Sequence, residues 1–248
     1  MGQAMIFAAG LGTRLRPLTD TMPKALVPVG GKPLLAHVIE RLQTAGYERL
    51  VINVHHFADQ IEQYLRAHQN FGLDIAVSDE REQLLDTGGG LKKAATLFDD
   101  DEPILIHNVD ILDNVDYEWL RRQHLPDEDA VLLVSRRKTK RYLLFDNAMR
   151  LMGWTNTETG EVRSPYPWLR ESEFTIDEEW KVKVAEDSSL FTLHSPPSPS
   201  AAYTPSRPAC SGSWTASPTV SPSWTSTSPC ATARASWAAS RTTSKCST

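Results

Sequence analysis

An apolar run, Met5 to Ala9, ends in Gly10-Leu11-Gly12-Thr13-Arg14, and a lone Lys24 follows after a Pro-bounded loop. A short apolar run before paired glycines reads as a buried, parallel-type strand meeting a tight loop. Glycines there let backbone N–H groups approach an anion, and Arg14 and Lys24 can add positive charge. The chemistry these residue types suit is the holding of phosphate. An ordinary Gly-rich strand-to-loop turn has the same glycine spacing, so the spacing alone leaves both readings open.

Two familiar phosphate loops fit the stretch poorly. A Walker A loop ends in Gly-Lys-Ser/Thr, which is absent here. A dinucleotide fingerprint places a third glycine where this chain has Leu15, and no helical periodicity opens directly after Gly12.

Further along, His107-Asn108-Val109-Asp110 follows an apolar strand-like run. A carboxylate at such a strand end can bind a hard cation, or can cap a helix or turn. Asp86-Thr87-Gly88-Gly89-Gly90 reads as a Gly-rich helix start, which is itself a plausible anion site, and Glu80 could belong to the same wall. His55-His56 lacks the companions of a metal site and suits a capping or surface role. The charge run Arg136 to Arg141 reads as a solvated loop or as the rim of an acidic substrate's site.

The elements that must position these residues alternate. Helical spacing runs from Pro33 to Ala45, with proline in the first turn and Gly46 as stop. A strand is expected over Arg49 to Val54, and a helix over Ala58 to His68 with Ile61, Tyr64 and Leu65 on one face. A strand over Leu73 to Ser78, a helix from Asp86 through Phe98 and a strand over Pro103 to His107 follow. Helix at Asp116 to His124, strand at Ala130 to Ser135, and a hairpin-like pair at Tyr142 to Asp146 and Arg150 to Trp154 complete the pattern. Pro165 to Lys183 is mixed, with Trp168 and Trp180 as candidate packing anchors. Alternating strands and helices imply crossover connections and a mostly parallel sheet covered on both faces. Ligands of such sheets bind beyond the carboxyl ends of the strands, where both Gly10 and Asp110 fall.

The full strings G-L-G-T-R-L-R-P-L-T, P-K-A-L-V-P-V and G-K-P-L-L closely resemble the N-terminal signature of the sugar-1-phosphate nucleotidyltransferases. The resemblance implies a Rossmann-like three-layer α/β/α fold, that of the nucleotide-diphospho-sugar transferases. Its sheet would be mostly parallel and mixed, and in this chain truncated at its C-terminal end. It also implies a reaction in which a sugar-1-phosphate oxygen attacks the α-phosphorus of a nucleoside triphosphate and releases pyrophosphate. That nucleophile is already anionic, so the site needs no general base; it must neutralise and align two anions.

By the same resemblance, the backbone of Ala9, Gly10, Leu11 and Gly12 holds the nucleotide, with Thr13 and Arg14 near its β- and γ-phosphates. Lys24 matches the family's Pro-Lys lysine, placed where the new bond forms, so Arg14 and Lys24 are the expected catalytic residues. Thr87, Gly88 and Gly89 lie in the loop at the nucleobase and ribose. Asn108 is expected at the sugar phosphate and Asp110 at Mg²⁺, in an element resembling the family's Asn-Gly-Asp with Val109 in place of a small residue. The short signature and the Gly-Gly-Gly loop look most like the small guanylyl- or uridylyltransferase branch, using GTP or UTP for envelope or polysaccharide precursors. Two other readings stand beside this one: a non-catalytic nucleotide- or sugar-phosphate-binding module, and a dinucleotide-dependent enzyme, against which Leu15 counts.

A net charge of −5 over 248 residues argues against a dedicated nucleic-acid binder. No run of about 18 apolar residues exists, and no signal peptide is apparent, so a cytoplasmic protein without membrane partners is expected. Cys210, Cys230 and Cys246 match no zinc spacing and close no disulfide set.

Composition breaks late in the chain. Beyond Leu193 there is no Leu, Ile, Met or Phe, and beyond Asp187 no Asp or Glu. The expected division is a nucleotidyltransferase domain over residues 1–190, incomplete, and a Ser/Pro/Thr/Ala-rich tail over 191–248 that cannot bury enough apolar surface to order itself. Residues 224–230, Trp-Thr-Ser-Thr-Ser-Pro-Cys, can be encoded by bases that, with the flanking ones, spell Met-Asp-Phe-Tyr-Leu-Ser-Val-Cys one frame over. A frameshift between about residues 188 and 200 is therefore expected. It would remove the strand of Phe-Ser-Gly-Ile-His type and the later metal aspartate that the resemblance implies, leaving little activity.

Overall fold

The computed structural model describes residues 2–99, 102–124, 130–135, 139–146, 150–171, 174–176, 181–184, 190–193, 201–203, 216–219 and 230–239. The chain divides into two compact units, one of residues 1–122 with 197–205 and one of residues 123–196 with 206–248.

The first unit is built on four parallel strands, β1 (Gly2–Phe7), β2 (Tyr47–Val54), β3 (Asp74–Asp79) and β4 (Ile104–Asn108), in the spatial order β3-β2-β1-β4. The backbone of Ala201–Tyr203 adds an antiparallel strand beside β4. The crossovers carry α1 (Leu34–Thr44), α2 (Ala58–Ala67) and α3 (Asp86–Ala94), and α4 (Tyr117–Arg122) follows β4. Each of these elements falls within a few residues of the position its periodicity predicts. The largest difference is α3, which stops at Ala94 and tightens into a 3₁₀ turn over Ala95–Leu97 before Phe98.

The hydrophobic reason for the sheet is plain in β1 and β2. Ala4, Met5 and Ile6, and Leu50 to Ile52 with Val54, are buried without regard to alternation, as strands covered on both faces must be. Helix α1 turns Leu35, Ile39 and Leu42 inward and α2 turns Ile61 and Leu65 inward. Each such side chain contributes roughly 1.5–3 kcal/mol on burial. Gly46, at φ 85, ends α1 as expected, its N–H donating to the Gln43 carbonyl.

Strand order reverses between β1 and β4, because the chain builds outward to β3 on one side and then returns to the other. Loops at the carboxyl ends of β1 and β4 diverge there and leave a crevice. In register across those ends lie Asn108, Phe7, Asn53 and Ser78 in one transverse row.

The second unit contains an antiparallel sheet in the order 161–163, 151–156, 141–146, 190–193, 181–184, 174–176. Ala130–Ser135 pairs antiparallel with the backbone of Cys230–Ala239, which in turn pairs with Ala216–Thr219. Phe145, Val134, Ala130 and Leu151 form one apolar cluster, and Leu144 with Leu169 another. Trp168 is not the anchor that composition suggested. It is 48 % exposed, and its neighbour Leu169 supplies the buried contact, because the short helix Pro167–Glu171 turns that position inward. Trp180, Arg136 to Lys138 and most of the tail from His194 onward lie outside the described residues. Among the described residues no helix is long and apolar enough to cross a membrane.

Candidate active site

The crevice at the strand reversal is a cleft of about 220 Å³, walled by Ala8, Ala9 and Gly10 after β1, Lys24, Asp86 and Thr87 at the start of α3, and Asn108 to Asp110 after β4. Sequence residues as far apart as Gly10 and Asp110 are brought together because each terminates a parallel strand of the same sheet. Of the expected site residues, Ala9, Gly10, Lys24, Thr87, Asn108 and Asp110 line the cleft. Leu11, Gly12, Thr13 and Arg14 lie outside its wall. Gly12 starts a 3₁₀ turn over Thr13–Leu15, on which Thr13 and Arg14 are exposed. Gly88 and Gly89 fall within the first turns of α3, also outside the lining.

The bend after β1 depends on Gly12, whose φ is +65. A Cβ built there would stand 2.9 Å from Thr19 Cγ2 and 3.0 Å from Lys24 Cβ, so only glycine lets the loop press against the Lys24 segment. Thr19 fastens the contact by donating its hydroxyl proton to the Gly12 carbonyl at 2.9 Å. Lys24 then reaches Asp110 in a direct ion pair, both side chains partly open to solvent.

On the opposite wall, Val109 donates its N–H to the Phe7 carbonyl at 3.1 Å and buries its side chain. Its larger side chain, a departure from the small residue of the resembled motif, therefore points into the core and leaves Asn108 and Asp110 on the cleft. Behind them, Asp113 accepts hydrogen bonds from His107 Nε2, the Val115 N–H and the Tyr117 hydroxyl, each at 2.8 Å. Burial alone would raise the Asp113 carboxyl; those hydrogen bonds and the His107 charge outweigh it and hold the group at about 2. Arg41 of α1 closes the network, donating to the Val115 carbonyl at 2.6 Å with its guanidinium 5.0 Å from the Tyr117 ring centroid.

Two polar residues of the cleft carry little sequence signal. Asn53 is 2 % exposed and Glu80 fully buried. Asn53 Oδ1 accepts the N–H groups of Ala8 at 2.7 Å and Ala9 at 3.3 Å, and its Nδ2 donates to Glu80 Oε1 at 2.8 Å. The amide of Ala9 is thus turned inward, and Gly10 is the first residue of the loop to stand exposed on the cleft. The available sign of Asn53 was a lone amide inside the apolar run Leu50 to Val54. Among the described residues no three His, Cys, Asp or Glu gather into a metal cage.

The comparisons with known proteins agree with this geometry. The sequence model of the family described as nucleotidyl transferase matches residues 3–142, more than half of the chain. The chain belongs to the nucleotidyl transferase family, as its N-terminal signature indicates. It is 52 % identical over 109 residues to the N-acetylmuramate alpha-1-phosphate uridylyltransferase of Caulobacter vibrioides, covering 43 % of this chain and 45 % of that protein. It is 37 % identical over 144 residues to the mannose-1-phosphate guanyltransferase of Neurospora crassa, covering 56 % and 39 %. The matched part spans less than half the length of these curated relatives. HddC from Yersinia pseudotuberculosis, solved with GMP-PN, superposes with a TM-score of 0.51 at 22 % identity, over 82 % of this chain and 77 % of that one. That likeness shows the shared nucleotide-diphospho-sugar transferase fold.

Proposed function

We propose that the protein transfers a nucleotidyl group from a nucleoside triphosphate, UTP or GTP, to a sugar-1-phosphate, giving a nucleotide-sugar and pyrophosphate. The observation that carries the reading is the convergence of Lys24, Asn108 and Asp110 on one cleft at the strand reversal, in a chain of this family. The 52 % identity to a uridylyltransferase of N-acetylmuramate phosphate makes UTP with that sugar class the first pair to test.

In this reaction an electron pair on the sugar-phosphate oxygen forms the new O–P bond at the α-phosphorus. The bond from that phosphorus to the bridging oxygen breaks, and pyrophosphate departs with the pair. Lys24 offsets the charge gathering at the reacting phosphates, and Arg14, on the turn after Gly12, adds positive charge toward the β- and γ-phosphates. Gly10, Leu11 and Gly12 present backbone to the nucleotide, while Thr87, with Gly88 and Gly89 behind it, borders the base and ribose. Asn108 orients the sugar phosphate. Asp110 suits Mg²⁺, which binds through one or two carboxylates and completes its shell with phosphate oxygens and water. When bound, the ion would supply further charge neutralisation at the phosphates.

The Ser/Pro/Thr/Ala-rich stretch beyond about residue 190 is, on this reading, out of frame, and the chain turns over slowly for want of what it displaces. Translating the coding DNA in the alternative frame decides this: family-like sequence supports it, and its absence removes the idea. The function itself is tested by incubating UTP and GTP, with Mg²⁺, against N-acetylmuramate-, mannose- and heptose-1-phosphates and looking for nucleotide-sugar. Triphosphate binding without product from the frame-corrected chain would favour the non-catalytic binding module instead.

A further inference from the structure

We propose that Asn53 and Glu80 are a positioning pair that holds the loop after β1 and the loop before α3 in one register, so that the nucleotide meets both walls of the cleft together. The proposal rests on the nucleotide-binding reading above and assigns roles to two residues that touch no reacting atom.

Four hydrogen bonds link the pair to the two loops, and donation converges on Glu80 from both sides. Ala8 and Ala9 donate to Asn53 Oδ1, Asn53 Nδ2 donates to Glu80 Oε1, and the Leu85 N–H donates to Glu80 Oε2 at 3.1 Å. A backbone N–H can only donate, and both Glu80 oxygens accept, so the orientation of the Asn53 amide is fixed from both ends. Ala8 and Ala9 lead into Gly10; Leu85 leads into Asp86 and Thr87. The two walls therefore share one buried relay, and the Glu80 N–H anchors it to the Val54 carbonyl at 2.8 Å.

The helix after the second loop is shaped to the pair. A Cβ on Gly90 would stand 2.7 Å from Glu80 Oε1 and 3.1 Å from Asn53 Nδ2. Only glycine allows α3 to pack this closely against both side chains. Both are among the few buried polar residues of the first unit, and the Glu80 carboxylate meets only neutral donors in these bonds. Groups so placed are costly unless each hydrogen bond is made, which is why altering one should disturb both loops.

The relay can be tested by exchange. Asn53→Asp alone sets an acceptor against Glu80 Oε1. Glu80→Gln alone sets a donor against either Asn53 Nδ2 or the Leu85 N–H. Combined, the introduced carboxylate accepts from Ala8 and Ala9 and from the introduced amide, whose oxygen accepts from Leu85, and every bond is restored. Binding of UTP and of GTP with Mg²⁺ is measured by calorimetry on the chain as it stands, beside amide hydrogen exchange without ligand. Each single variant is expected to weaken binding about tenfold to a hundredfold. Each should also speed exchange at Ala8, Ala9 and Leu85 alike, with the double variant returning both readouts toward the parent. Single-variant effects confined to one loop, or a double variant no better than the singles, would overturn the proposal. If neither the parent chain nor its frame-corrected form binds a triphosphate, the functional reading fails, and the exchange data still decide whether the relay couples the loops.

Discussion

Lys24 and Asp110 form an ion pair across the cleft although neither lies in a regular strand or α-helix. Each is held by a strand end, Asp110 through β4 and Lys24 through the Gly12 loop that presses on it. The pair keeps a cation at the cleft, and on the function proposed above phosphate would take over Lys24 and Mg²⁺ would take over Asp110. Lys24→Ala is expected to lower turnover at least about a hundredfold, as loss of one transition-state charge contact does. Lys24→Arg should recover only part, since a guanidinium cannot occupy the place of a compact ammonium. The readout is kcat against KM: a variant changed in KM alone would mean that Lys24 only binds substrate.

Gly12 is predicted to be intolerant of a side chain. Gly12→Ala meets a left-handed backbone and close atoms of Thr19 and Lys24 together, at 2.9 and 3.0 Å. The expected loss is about 1–3 kcal/mol of stability from the strained backbone, with weaker triphosphate binding. Denaturant unfolding and calorimetry measure the two. Unaltered values for both would show that the loop relaxes freely.

The Asp113 network behind Asn108 predicts an acid-sensitive step. The folded carboxyl is held at about 2, below its ordinary 3.8. A depressed carboxyl stabilises the fold above the unfolded value, and that contribution disappears as pH falls from about 4 toward 2. It amounts to roughly 2 kcal/mol at neutral pH. Asp113→Asn should lower stability at pH 7 and flatten the stability curve between about pH 4 and 2. Equal slopes in the two proteins would contradict the assignment.

The core prediction is simpler. Ile39 of α1 is fully buried, and Ile39→Ala should cost about 2–5 kcal/mol, seen as a lower unfolding midpoint at unchanged m-value.

Much of the fold was legible because the first unit obeys periodicity: β1, α1, β2 and α2 show apolar spacing that matches their burial. The glycine loop, Lys24 and Asp110 were legible by residue type and by the signature strings. Arg14, expected near the β- and γ-phosphates, stands exposed on the 3₁₀ turn after Gly12, outside the residues that line the cleft. Asn53 and Glu80 were harder, since one amide or carboxyl in a strand or loop gives no sign of its partner until the sheet brings β2 and β3 side by side. Trp168 misled for a related reason: size suggested an anchor, and a one-residue offset in a short helix made Leu169 the buried neighbour.

Label transfer from UTP carrying a marked α-phosphate tests the central claim most directly, with Mg²⁺ and N-acetylmuramate-1-phosphate as acceptor, on the chain as it stands and on its frame-corrected form. The account predicts labelled nucleotide-sugar, slower from the first than the second, dependent on the sugar phosphate and lost in Lys24→Ala. No labelled nucleotide-sugar from either form with UTP or GTP and any of the three sugar phosphates, or undiminished labelling in Lys24→Ala, would contradict it.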